Sequence, residues 1–147
     1  MTVDISSASN YFLSQADEEA GDVISNLKLQ KLLYYAQGFH LALFNAPLFE
    51  DEVQAWLHGP VVPSAYHLYK QHGSGAIPRP EGFDPQSLNE ETRSLLDEVY
   101  NVYGQYSAWK LRNMTHAETP WVAAYAEGGG TPISHAAMRE FFSPLTQ

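Results

Sequence analysis

The segment from Asn26 to Phe44 constrains the fold more than any other part of the chain. Leu29, Leu32, Leu33, Ala36, Phe39 and Leu43 recur at three- and four-residue spacing, which predicts a helix with these side chains on one face. Leu27, Tyr34, Tyr35 and His40 widen the apolar arc toward the whole circumference. A helix that is apolar nearly all round has to be enclosed by other elements, so the segment predicts the central member of a helical bundle. Ser25 or Asn26 can cap it, because either side chain can accept from the free amides of a first turn.

The flanking pattern supplies the enclosing elements. Ile5, Ala8, Phe12 and Ala16 predict a helix over Asp4 to Ala16, with Gly21 as its end. Loose alternation of Phe49, Val53, Ala55 and Leu57 predicts a small strand or hairpin near residues 49–58, closed by Gly59-Pro60. Pro63 suits a helix first turn, so Ser64 to His72 reads as a short helix before Gly73. The run SGAIPRPEGFDPQ removes amide donors and adds backbone entropy, which predicts a loop up to Ser87. Helix resumes near Asn89 and stops at Gly104; Ser107 caps the next, Thr119-Pro120 starts another through Tyr125, and Gly128 to Gly130 read as linker. Ser134 caps the last, with Ile133 and Met138 placed as a hydrophobic staple, and Pro144 ends it. The expected architecture is mainly α, a single-domain bundle of about six to seven helices with one small β element.

Charge and composition then narrow the function. Seventeen acids against eight bases give a net charge of −9, and the bases are scattered, so direct nucleic-acid binding is not expected. The acidic excess serves solubility or steers the chain toward a basic partner surface. Zero Cys rules out a disulfide framework, thiolate metal sites and thiol nucleophiles, and cytoplasm is the default compartment. The N-terminus lacks a basic and an apolar stretch and does not read as a signal peptide, and no apolar run approaches the ~20 residues of a membrane span.

Six His invite a metal or catalytic reading, but His67 and His72 are five apart, which separates them by roughly 140° around a helix, and no metal or cofactor is expected. His116 and Glu118, in the run Thr115-His-Ala-Glu-Thr-Pro-Trp121, could perform acid–base chemistry beside a bound substrate. The plainer reading is that both side chains cap the helices they join while Trp121 plugs the core. Lys28 and Lys31 share a face at the start of the long helix, where they meet an anion or snorkel outward to pair with acids such as Glu50 to Glu52. Three Trp and nine Tyr exceed what packing in so small a bundle needs, and Tyr and Trp anchor interfaces.

Four ordered words also carry a family resemblance. They are Asn26-Leu-Lys-Leu-Gln-Lys-Leu-Leu-Tyr-Tyr-Ala-Gln-Gly38, Ala55-Trp-Leu-His-Gly-Pro-Val-Val-Pro-Ser64 with Tyr66, Ser107-Ala-Trp, and Thr115-His-x-Glu-x-Pro-Trp121. Together they resemble the Panacea domain of SocA-like antitoxins, also met as phage-associated proteins, over about residues 5 to 143. Leu57-His58 and Arg112-Asn113 are mild departures from the usual words. The resemblance implies a non-enzymatic antitoxin that neutralises a neighbouring toxin by direct contact. It also implies an alternative, because a SocA-type relative delivers its toxin to a AAA+ protease as an adaptor. A small enzyme using His116 and Glu118 is the third reading. The signature residues taken as candidate partner contacts are Lys28, Lys31, Trp56, His58, Gly59, Tyr66, His116, Glu118 and Trp121.

Overall fold

A computed structural model describes residues 2–147, the side chain of Glu18 apart. In chain order the elements are α1 (Ile5–Gln15), α2 (Asn26–Phe44), β1 (Gln54–Trp56), β2 (Gly59–Val61), α3 (Pro63–Tyr69), α4 (Glu90–Tyr103), α5 (Ala108–Thr115), α6 (Thr119–Ala126), β3 (Thr131–Pro132) and α7 (His135–Phe142). Short 3-10 turns occupy Glu18–Ala20, Lys70–His72, Pro85–Ser87 and Ser143–Thr146.

The long helix is central, as its apolar circumference requires. Every residue of α2 from Lys28 to Gly38 is buried, and the helix packs against α1, α3, α4, α5, α7 and β2. Its start is fixed by Ser25, whose side chain accepts from the Lys28 amide at 3.3 Å, and its end by Asn45 in the left-handed region at φ 54°. Gly38 leaves the space that the Phe142 ring of α7 fills, because a Cβ there would overlap that ring. Asn89, Ser107 and Ser134 cap α4, α5 and α7 by accepting the amides of Thr92, Lys110 and Ala137. Such caps contribute about 1 kcal/mol each. Phe12, Tyr34, Tyr35, Leu96, Leu111 and Phe142 belong to one continuous core. Full burial of large apolar side chains stabilises by about 1.5–3 kcal/mol apiece.

The β element is a three-stranded antiparallel sheet in the order β2-β1-β3. Its hairpin lies slightly later than the alternation of Phe49 to Leu57 implies. Trp56 pairs with Gly59, so Leu57 and His58 form the turn and Gly59-Pro60 begins the second strand instead of closing the first. Pro60 is accommodated because β2 is an edge strand, and Gly59 because its φ of 111° is open to glycine. The Gly128–Gly130 run is more than a linker. The Gly130 amide donates to the Ala55 carbonyl at 2.8 Å and delivers Thr131 to the free edge of β1. The segment before Ser87 is irregular as expected, yet Ala76 bridges to Ser25 and Ile77 is buried, so the loop is sewn to the start of α2.

Candidate functional site

Asn26, Lys28, Gln30, Lys31 and Gln37 of α2 are buried, and each hydrogen-bonds a backbone group of another segment. Lys28 Nζ donates to the Gly104 carbonyl at 2.6 Å, at the end of α4. Gln30 Oε1 accepts from the Val62 amide at 2.9 Å while its Nε2 donates to Asn26 Oδ1, and Asn26 in turn donates to the Tyr66 carbonyl. Lys31, fully buried, donates to the Pro60 carbonyl at 3.1 Å. Gln37 Oε1 accepts from the Leu48 and Phe49 amides and its Nε2 donates to the Phe49 carbonyl. Unpaired buried backbone groups are costly, so the two glutamines replace the secondary structure that the chain lacks at Leu48–Phe49 and at Val62. The two lysines therefore do not snorkel out to Glu50–Glu52; the carbonyls of Gly104 and Pro60 stand nearer and are buried with them. Burial first, then the Arg112 charge, lowers the Lys31 pKa to about 7; burial also lowers that of Lys28.

A second polar group, half-buried, joins α6 to α2. Glu118 Oε1 accepts from the Tyr34 hydroxyl at 3.0 Å and Oε2 from the Tyr35 hydroxyl at 2.9 Å. Burial lifts the carboxyl to about 7, although the two hydroxyls pull it back down. The Tyr34 and Tyr35 hydroxyls are pushed up, by burial first and then by the Glu118 charge. Tyr103 stacks on Tyr35 with ring centroids 3.8 Å apart. Glu118 occupies the N-cap position of α6 without a side-chain capping bond, so the expected cap is replaced by a clamp on α2. His116 ends α5 with its backbone amide, while its ring stacks on Trp121 at 4.0 Å. The His116 Nε2 is buried without a hydrogen-bond partner, and burial followed by Arg112 holds the ring below its ordinary pKa. Trp121 Nε1 donates to the Trp56 carbonyl at 2.8 Å, which ties α6 to β1.

The structure thus gathers Lys31, Gly59, His116, Glu118, Trp121 and Trp56 around the junction of α2, the hairpin and α6. A Cβ on Gly59 would lie 2.6 Å from Lys31 Cε and 2.8 Å from Thr115 Oγ1, so only glycine lets the hairpin close over the lysine. Tyr66 packs edge-on against Trp56 at 5.0 Å, whereas Lys28 stands apart at the Gly104 end. His58 is exposed at the hairpin turn, where its Nδ1 accepts from Arg112 Nε at 3.3 Å. Arg112 in turn lies 4.4 Å over the ring of exposed Trp109. Sequence reasoning missed Tyr34 and Tyr35 as partners of Glu118, and Gln30 and Gln37 as backbone brackets. The one available signal was polar residues embedded in an otherwise apolar helix.

The family model described as "Antitoxin SocA-like, Panacea domain" matches residues 29–122. The chain is also 33% identical over 144 residues to Antitoxin SocA of Caulobacter vibrioides (strain NA1000 / CB15N), covering 90% of this chain and 75% of that protein. The chain belongs to the SocA-like antitoxin family. No solved structure matches the chain significantly. The matched part of this Panacea domain runs from α2 to α6 and holds Lys31, Gly59, the Tyr34–Tyr35–Glu118 clamp and both glutamine brackets. Phe142, which fills the space over Gly38, lies outside that matched stretch.

Proposed function

We propose that this Panacea domain is an antitoxin that neutralises a cognate toxin by direct protein–protein contact in the cytoplasm. The observation that carries the reading is the likeness to Antitoxin SocA across 90% of the chain. The chemistry around His116 and Glu118 supports a non-enzymatic role. Both oxygens of Glu118 are taken by tyrosine hydroxyls, and His116 lies under the Trp121 ring, so each does structural work at the helix junction. The net charge of −9 supports a partner with a basic surface, such as a toxin that handles nucleotides or RNA. Among the described residues no helix is long and apolar enough to cross a membrane. Lys28, Lys31, Gly59, Glu118 and Trp121 act on the toxin indirectly in this reading, by holding the scaffold; Trp56, Tyr66 and His58 are nearer the surface.

The test is co-expression with the small open reading frame beside the gene, scoring growth and then copurification. Restored growth with a stable complex is the expected outcome. Toxicity unrelieved by co-expression, with no complex, would overturn the proposal. Rescue that disappears in a host lacking its AAA+ proteases would instead assign delivery to a protease as the mode of action.

A further inference from the structure

Four of the exposed large apolar side chains lie together along one groove, while Val23, Leu57, Leu68, Trp109 and Val122 stand elsewhere on the surface. Leu43 (50% exposed), Phe44 (40%), Val102 (41%) and Leu145 (54%) border a continuous groove between the C-terminal end of α2, the outer face of α4 and the Ser143–Thr146 turn. Its inner part is a cleft of about 450 Å³ floored by Phe39, Val99 and Tyr103. Leu43, Leu95 and Glu98 are shared with a shallower extension that reaches the start of α4. Glu90, Glu91 and Glu98 rim the groove, and its described lining includes no Lys, Arg or His. The carboxyl end of α2 adds its partial negative charge beside Leu43 and Phe44.

We infer that this groove receives a basic amphipathic helix of the partner protein. An apolar trough between two helices fits side chains recurring at i, i+3 or i+4 and i+7, and an acidic rim selects Lys or Arg along the flanks of that helix. A second copy of the chain is a poor occupant on charge grounds, since it brings nine further net negative charges to the acidic rim. The identity of the helix's owner as the toxin rests on the proposed antitoxin function; the groove's chemistry does not.

The test uses the full chain, isotope-labelled for amide spectra, titrated with a synthetic peptide of about 18 residues carrying Leu on one helical face and Lys on the other. A peptide of identical composition with its Leu dispersed around the helix is the comparison. Saturable shifts at Leu43, Val102 and Tyr103 with the first peptide only are expected. Leu43→Asp should weaken that binding roughly tenfold or more, while Leu68→Asp, an equally exposed position on α3, should leave it unchanged. Shifts dispersed over the surface, the same response to both peptides, or dimers that Leu43→Asp dissociates would each overturn the inference. Copurification with the toxin should likewise fail for Leu43→Asp and Val102→Asp and persist for Leu68→Asp. If these groove variants bind the toxin like the unmodified chain, the groove inference falls and the antitoxin reading stands. If the unmodified chain neither rescues nor copurifies, the antitoxin reading falls and the peptide titration decides the groove alone.

Discussion

Replacing Glu118 by Gln should change how stability depends on pH, because the carboxyl is largely withdrawn from solvent and held by two tyrosine hydroxyls. Its pKa rises from 4.5 to about 7 in the fold, with burial as the leading cause. Between those values the native protein keeps a proton that the unfolded chain has released. This component of stability is therefore complete below pH 4.5 and is lost as pH rises through about 7. A gap of about 2.5 pH units, at about 1.4 kcal/mol per unit, makes the whole loss about 3 kcal/mol, of which about 2.5 kcal/mol falls between pH 5 and pH 8. Glu118→Gln preserves the shape and one acceptor oxygen and has no proton to release. Urea unfolding of both proteins across that range is the assay. Relative to the parent, the variant should gain about 2.5 kcal/mol from pH 5 to pH 8. Parallel pH profiles, within about 0.5 kcal/mol, would refute the reasoning.

Lys31→Met tests the converse sign. The lysine keeps its proton to 10.5 when unfolded but only to about 7 in the fold, so the parent's stability should rise by about 2 kcal/mol between pH 7 and pH 9 relative to the variant. Denaturant titrations at the two pH values measure it, and an unchanged difference would contradict it. Gly59→Ala combines a positive φ with a clash against Lys31 and Thr115, so unfolding should show a loss of about 2–5 kcal/mol; a loss under about 1 would contradict the close approach. Gln37→Leu leaves two buried amides and one carbonyl unserved, with an expected cost of about 2–4 kcal/mol. Hydrogen exchange should accelerate at the Leu48 and Phe49 amides, and unchanged protection there would count against the bracket.

Much of the bundle is legible because it is written in local terms. The periodicity of Leu29 to Leu43 marks a helix, its apolar circumference places that helix at the centre, and Ser107 and Ser134 announce their helices by capping chemistry. The β element is only partly legible. Strands of two and three residues hold too few side chains for alternation to register, so Thr131–Pro132 is invisible and the edge position that tolerates Pro60 cannot be known before the sheet order is. The candidate site is least legible of all. Glu118 lies 84 positions from Tyr34, and its two oxygens are used by side chains that periodicity assigns simply to the core. Lys31 and Gln37 reach backbone carbonyls and amides, which exist at every position and leave no mark in the sequence. For the same reason the family words read as a surface, although Lys31 and Trp121 are buried.

The most direct test of neutralisation by contact is a titration of the purified toxin with purified chain in the absence of any protease. Toxin activity should fall linearly to a sharp stoichiometric end point, with the loss tracking formation of a complex of both proteins. Full toxin activity at a large excess of the chain would contradict direct neutralisation.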